Sequence, residues 1–202
     1  MKKYSAIVFD LGNVILPFDY NPFISKLNKI KPDLGDRFKE NYKNNYHIHR
    51  AFESGKLNTS GFLKLMMGWT DNMLSEEEFC VSYSSIFSVD EKVAGLLPLL
   101  KEKYKLILLS NTNPVHKKYG WEQYDFLKYF DKQILSHEAG SVKPEEKIYN
   151  AVMEFTQLAP GEHFYIDDIP EYAVAAKKLG WGAVQFTNYE ALLEELIKEK
   201  IL

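Results

Sequence analysis

Cysteine is nearly missing from this sequence: Cys80 is the one thiol in 202 residues. A single cysteine makes no internal disulfide and no cysteine-based zinc site, so a reducing, cytoplasmic setting is expected. An excess of charge of either sign is missing too, with 25 Lys and Arg against 28 Asp and Glu and a formal charge of −3. That balance excludes the basic footprint of a protein that grips nucleic acid through its phosphates. Long apolar runs are absent: the longest, 93–100 and 106–109, fall far short of the roughly 20 residues a membrane helix needs. No membrane partner is therefore expected. Met1-Lys2-Lys3-Tyr4 has the basic character of a secretory leader, but the apolar stretch behind it is brief and Asp10 closes it. Repeats of fixed period and low-complexity tracts are also absent. What is present is 46% apolar and 14% aromatic, ample for one packed domain or a core domain carrying an insert.

Five short apolar runs read as buried strands: 5–9, 105–109, 133–135, 163–166 and 183–186. Helix-length segments separate the last four, the alternation of a parallel α/β sheet. Helix starts are signalled by Asn113-Pro114, by Lys143-Pro144-Glu145-Glu146 and by Ile169-Pro170-Glu171. Gly180 ends a helix through 173–179, and 189–201 reads as a last amphipathic helix. Residues 17–88 differ. They hold no strand-like run, their apolar residues recur at helical spacing (Phe62, Leu65, Met66), and Ser75-Glu76-Glu77-Glu78 opens a helix as a capping box. This stretch is longer than a crossover needs and reads as a helical insert over the sheet. The core is then 1–16 together with 89–202.

In an open parallel sheet, ligands sit beyond the carboxyl ends of the strands. Asp10, Gly12 and Asn13 follow the first strand, and Ser110, Asn111 and Thr112 the second. Lys143 lies past the third, and Asp167-Asp168 follow the fourth. Three acids converging on one edge call for a cation, and all-oxygen donors point to magnesium. A hydroxyl, an ammonium and backbone N–H groups beside them suit a phosphate.

Phe9-Asp10-Leu11-Gly12-Asn13-Val14 resembles the first motif of the haloacid dehalogenase superfamily. Leu109-Ser110-Asn111-Thr112 resembles its second, Val142-Lys143-Pro144 its third, and Tyr165-Ile166-Asp167-Asp168 with Leu179-Gly180 its fourth. The four motifs occur in order and cover essentially the whole chain. Phe52-Glu53-Ser54-Gly55-Lys56-Leu57 is similar to a segment of small capped members, and the whole looks most like those of the bacterial α-glucose-1-phosphate phosphatase type. The resemblance implies a Rossmann-like parallel sheet core with an inserted α-helical cap. It also implies magnesium-dependent hydrolysis of a small phosphorylated metabolite; a monomer or weak homodimer is expected. Asp10 is then the nucleophile, and Asp10, the Gly12 carbonyl and Asp168 hold the metal with Asp167 in support. Ser110, Asn111 and Lys143 hold the phosphate, and Lys143 also neutralises charge.

One departure stands out. These phosphatases usually carry a second Asp two residues after the nucleophile as acid and base, and here that position is Gly12. Either the leaving group needs little help, as with an anomeric oxygen, or another acid substitutes, Asp19 being nearest, or turnover is lost. A metal-independent 2-haloacid dehalogenase and a non-catalytic phosphate-binding module are the alternatives. A response-regulator receiver is excluded, since its acidic pair follows the first strand. His47, His49 and Arg50 read as a surface or interhelix cluster, His116, His137 and His163 as structural. Trp69, Trp121 and Trp181 read as packing residues, and the stretches Tyr42–Tyr46 and Glu76–Glu78 as plain helix surface.

Overall fold

The computed structural model describes residues 3–202; Met1 and Lys2, the first half of the leader-like opening, lie outside the described residues. Five strands form one sheet: β1 (Ala6–Phe9), β2 (Lys105–Ser110), β3 (Lys132–Leu135), β4 (His163–Asp167) and β5 (Gly182–Gln185). They lie in the order β3-β2-β1-β4-β5, and every pairing is parallel. Each expected strand is present, shifted by no more than a residue or two at its ends. The fold is therefore the α/β class read from the sequence.

The central strands are buried on both faces, so β1 and most of β2 and β4 read as near-continuous apolar runs rather than alternating with polar residues. Ile7, Phe9, Leu106, Leu108, Phe164 and Ile166 point to one side, where Val93, Leu97, Leu192 and Leu196 cover them. Those four belong to α6 (Glu91–Ala94), α7 (Leu96–Lys101) and α12 (Tyr189–Lys198). Val8, Ile107, Leu109 and Tyr165 point the other way, onto α10 (Glu146–Thr156) and α11 (Pro170–Lys178). Gly180 ends that last helix in the left-handed region at φ +90°. The expectation for the segment at Pro144 needs correction. α10 begins only at Glu146, so Pro144 lies in the preceding turn, joined to Lys143 by a cis peptide bond.

Between β1 and β2 lie α1 (Asn21–Ile30), α2 (Leu34–Asn44), α3 (Tyr46–Glu53), α4 (Thr59–Trp69) and α5 (Glu76–Ser84). They surround an apolar cluster of their own, built on Phe23, Phe38, Phe52, Phe62 and Phe79. Phe23 meets Phe38 edge-on at 5.2 Å, and Phe52 stacks on Phe62 at 4.0 Å. The Ser75 capping box forms as read, with Glu78 Oε2 accepting the Ser75 N–H at 2.8 Å. The chain enters and leaves this bundle side by side. Phe18 and Phe87 form an isolated antiparallel bridge, flanked by Asp19 N–H to the Ile86 carbonyl at 3.0 Å and Ser88 N–H to the Pro17 carbonyl at 2.9 Å. No helix among the described residues is long and apolar enough to cross a membrane.

After β2 come α8 (Pro114–His116), capped by Asn113 Oδ1 on the His116 N–H at 2.9 Å, and a π-helical turn over Lys117–Trp121. α9 (Ser136–Ala139) follows β3. The strand order reverses at β1, because the chain builds outward to β3 on one side and then returns to place β4 on the other. The carboxyl end of β1 is therefore the switch point of the sheet.

Candidate active site

Register brings the acids together. Phe9 pairs with Ile166 in β4 and with Leu108 in β2, so Asp10 stands level with Asp167 and one residue short of Ser110. The Asp10 N–H extends the ladder to the Ile166 carbonyl at 2.9 Å. Its Oδ1 accepts from the Leu11 N–H at 2.7 Å and from Lys143 Nζ at 2.8 Å. Oδ2 has no partner among the described residues.

Lys143 is fully buried, and its ammonium lies between two carboxylates, Asp10 at 2.8 Å and Asp167 Oδ2 at 2.7 Å. Burial alone depresses a lysine, but the charges of Asp10 and Asp167 outweigh it and hold Lys143 above its usual range. Asn111 fixes the lysine's backbone on both sides. Its Oδ1 accepts the Lys143 N–H at 2.8 Å, and its Nδ2 donates to the Lys143 carbonyl at 3.2 Å. Asp167 is spent on positioning: Oδ2 takes Lys143 and the Tyr165 hydroxyl, and Oδ1 takes the Ile169 N–H at 2.8 Å. Asp168 is half-buried, and its Oδ2 accepts from Asn13 Nδ2 at 3.2 Å.

One carboxylate oxygen from each of Asp10, Asp167 and Asp168 lies within 4.8 Å of the other two. Burial raises the Asp10 carboxyl to about 8, Lys143 opposing and the charges of Asp167 and Asp168 adding to it. Burial likewise raises Asp168. Three acids against one lysine leave a surplus of negative charge in a dry place. A small divalent cation with a taste for hard oxygen donors offsets that surplus, and the donor set fits magnesium.

Above this edge lies a cavity of about 280 Å³ with the helical bundle over it. Asp10, Gly12, Ser110, Asn111, Lys143 and Asp168 line its floor. Asp167 lies beneath it. Asp19 is not brought in: it is exposed on the turn before α1, where Oδ1 accepts the Asn21 N–H at 2.9 Å, and it does not line the cavity. At Gly12 a side chain would point at Phe18, whose ring edge stands 3.2 Å from the place of a Cβ. Phe18 thus crowds the position at which the resemblance read from the sequence would place a second acid.

Residues 82–186 match the sequence pattern of the haloacid dehalogenase-like hydrolases. The chain belongs to this family. A D-ribitol-5-phosphate phosphatase from Bacteroides thetaiotaomicron is 28% identical over 200 residues, spanning 94% of this chain and 95% of that protein. A haloacid dehalogenase-family enzyme from the same organism, solved in complex with magnesium and inorganic phosphate, superposes with a TM-score of 0.79. It is 27% identical, over 94% of this chain and 98% of its own. An L-2-haloacid dehalogenase from Xanthobacter autotrophicus is 18% identical with a TM-score of 0.61, over 98% of this chain and 84% of its own; it shares the fold.

The roof of this hydrolase's cavity is where the sequence reading falls short. Tyr42 and Tyr46, read as plain helix surface, line it, as do Tyr20, His116, Trp121 and Tyr172. His49, assigned to a surface or interhelix cluster, is buried in the cavity wall, while its neighbour in that cluster, His47, is exposed. Glu53 is buried with it, taking His49 Nε2 at 3.1 Å and Arg50 Nη1 at 3.2 Å. Burial opposes the charged form of Glu53, yet His49 and Arg50 hold its pKa below the usual value. The spacing of His49 and Arg50, four and three residues before Glu53, is a readable sign of such a cluster. Arg50 Nη2 also donates to the Lys143 carbonyl at 3.1 Å, joining α3 to the lysine loop. His116 joins wall to sheet: Nε2 meets the Tyr20 hydroxyl at 3.0 Å and its ring stacks on Tyr83 at 4.4 Å. His137 and His163 are structural, bonded to the Thr112 carbonyl and to Thr156.

Proposed function

We propose that this hydrolase removes phosphate from a small sugar or sugar-alcohol phosphate, with Asp10 as the nucleophile. The observation that carries the proposal is Asp10 itself. It stands at the switch point, one oxygen anchored by Lys143 and the Leu11 N–H and the other without a partner among the described residues. The likeness to a D-ribitol-5-phosphate phosphatase over nearly the whole chain supports the substrate class.

In this reading Oδ2 of Asp10 attacks phosphorus and forms a new P–O bond. The ester P–O bond breaks, and the departing alcohol oxygen keeps the electron pair and takes a proton from water. A second water then attacks phosphorus and gives its proton to the hydroxide left by the first, the aspartyl C–O–P linkage breaks at its P–O bond, and phosphate leaves with Asp10 restored. Asp10, the Gly12 carbonyl and Asp168 would hold magnesium, which supplies positive charge against the phosphoryl oxygens. Asp167 keeps Lys143 aimed at the nucleophile, and Ser110 and Asn111 border the phosphate. Residues 17–88 act as the cap on a core of 1–16 and 89–202. Asp19 has no part in the chemistry, because its carboxylate is committed to the turn before α1. A metal-independent dehalogenase reading has less support, since the buried acids outnumber the one lysine among them.

A panel of phosphorylated metabolites, assayed with magnesium and with chelator, tests this. Activity is expected on small sugar phosphates, lost in chelator and restored by magnesium. Full activity in chelator, or halide release from a 2-haloacid, overturns it.

A further inference from the structure

We propose that Glu53 determines specificity in this site, and that the preferred substrate is a monophosphate ester whose remaining part is uncharged and rich in hydroxyls. The inference rests on the phosphatase reading and narrows it.

Glu53 is 7% exposed and stands in the cavity wall opposite the acid-lined floor. Its two oxygens take one bond each, from His49 and from Arg50. A carboxylate oxygen accepts about two, so each keeps a lone pair for a donor in the cavity. Tyr20 adds a polar group to this wall, its hydroxyl 3.0 Å from His116 Nε2. Tyr42, Tyr46 and Tyr172 complete the wall. Burial raises all three, with the Glu53 charge adding to it, so each keeps a hydroxyl proton to give, while the Tyr172 oxygen accepts from Asn111 Nδ2 at 3.4 Å. Alcohol hydroxyls suit such a wall because they donate to the carboxylate and both donate to and accept from phenols.

Charge excludes the alternatives. Three carboxylates line the cavity, Asp10, Glu53 and Asp168, against two permanent cations, Lys143 and Arg50, and the His49 imidazole that is paired with Glu53. Both cations are engaged, Lys143 by Asp10 and Asp167, Arg50 by Glu53 and the Lys143 carbonyl. Magnesium and the phosphoryl group of the substrate roughly cancel. A second phosphate or a tail carboxylate meets no free cation and faces the Glu53 charge at low dielectric. The cavity, about 280 Å³, is also at the small end of ligand sites, which run roughly 300–1,000 Å³.

Ribitol 5-phosphate and ribonate 5-phosphate form a matched pair, alike except for a CH₂OH or a carboxylate at the far end. The wild-type enzyme with magnesium is expected to show a kcat/KM for the ribitol ester about 50-fold or more above that for the ribonate ester. In Glu53→Gln that ratio is expected to fall at least about tenfold, through a higher KM for ribitol ester and a lower one for ribonate ester. A thermal melt and magnesium-dependent binding of inorganic phosphate verify that the variant is folded with its phosphate site intact. Comparable wild-type kcat/KM on both esters overturns the inference while leaving the phosphatase reading standing. An unchanged ratio in folded Glu53→Gln overturns it as well, and if that variant does not fold the wild-type pair decides. No hydrolysis of any phosphomonoester overturns both readings together.

Discussion

Asp10 and Asp19 are both acids near the end of the first strand, and their surroundings give them opposite fates. Asp10 ends a ladder bond and faces the cavity; Asp19 turns outward to hold the Asn21 N–H. Asp10→Asn is therefore expected to reduce kcat by on the order of 10⁴-fold or more, since an amide forms no phosphoaspartate. Asp19→Asn is expected to change kcat by no more than about twofold, far below the roughly 10²–10⁴-fold an acid–base group is worth. Steady-state kinetics on one sugar phosphate check both. His116 carries a different consequence. Burial lowers its pKa from the ordinary 6.5 to about 3, so it is neutral in the folded protein. The unfolded chain binds a proton there below about pH 6.5 that the folded chain refuses. Its contribution to stability is thus intact above pH 6.5 and lost as pH falls toward 3, by about 1.4 kcal/mol per pH unit. Urea midpoints measured between pH 7 and pH 4.5 are expected to fall more steeply for wild type than for His116→Gln.

At the scale of elements, the helical bundle owes its shape to close contacts as much as to its apolar core. A Cβ at Gly35 would stand 2.2 Å from the Ile24 carbonyl oxygen, so α1 and α2 approach as they do only because that residue is glycine. Gly35→Ala is expected to cost about 1–3 kcal/mol through overpacking, read as a drop in the urea midpoint with an unchanged m-value. The bundle's helices were legible as helices, because Phe62, Leu65 and Met66 keep a helical period and Ser75 and Glu78 form a capping box. Their inner and outer faces were harder to assign. Tyr42 and Tyr46 sit on α2 and α3 in a polar stretch that resembles solvent-facing helix, yet the cavity lies on that side. A wall that binds a polar ligand carries the same residue types as a wall that binds water.

For the whole molecule, the site exists between two bodies of structure. The sheet edge supplies Asp10, Lys143 and Asp168, and the bundle supplies Arg50, Glu53, Tyr20, Tyr42 and Tyr46 above them. Arg50 ties one to the other through the Lys143 carbonyl. A roofed cavity of this size excludes a folded protein chain. Small phosphate esters are expected to turn over, whereas a folded phosphoprotein offered at the same phosphate concentration is expected to release no phosphate in a malachite green assay.

The sequence by itself determined the parallel sheet, the helical insert and the acids at the strand ends. Those features rest on local patterns: short apolar runs at helix-length intervals, caps, and polar residues directly after each strand. Asp10, Asp167 and Asp168 were readable as one cluster because a parallel sheet delivers all its strand ends to one edge. Only the tertiary structure decided which way Asp19 faces, that Phe18 fills the space beside Gly12, and that Glu53 is a buried charge in the cavity wall. Each of these depends on how the bundle sits over the sheet. That placement is set by contacts between residues far apart in the chain, such as Phe18 with Phe87 and Arg50 with Lys143, which no local period records.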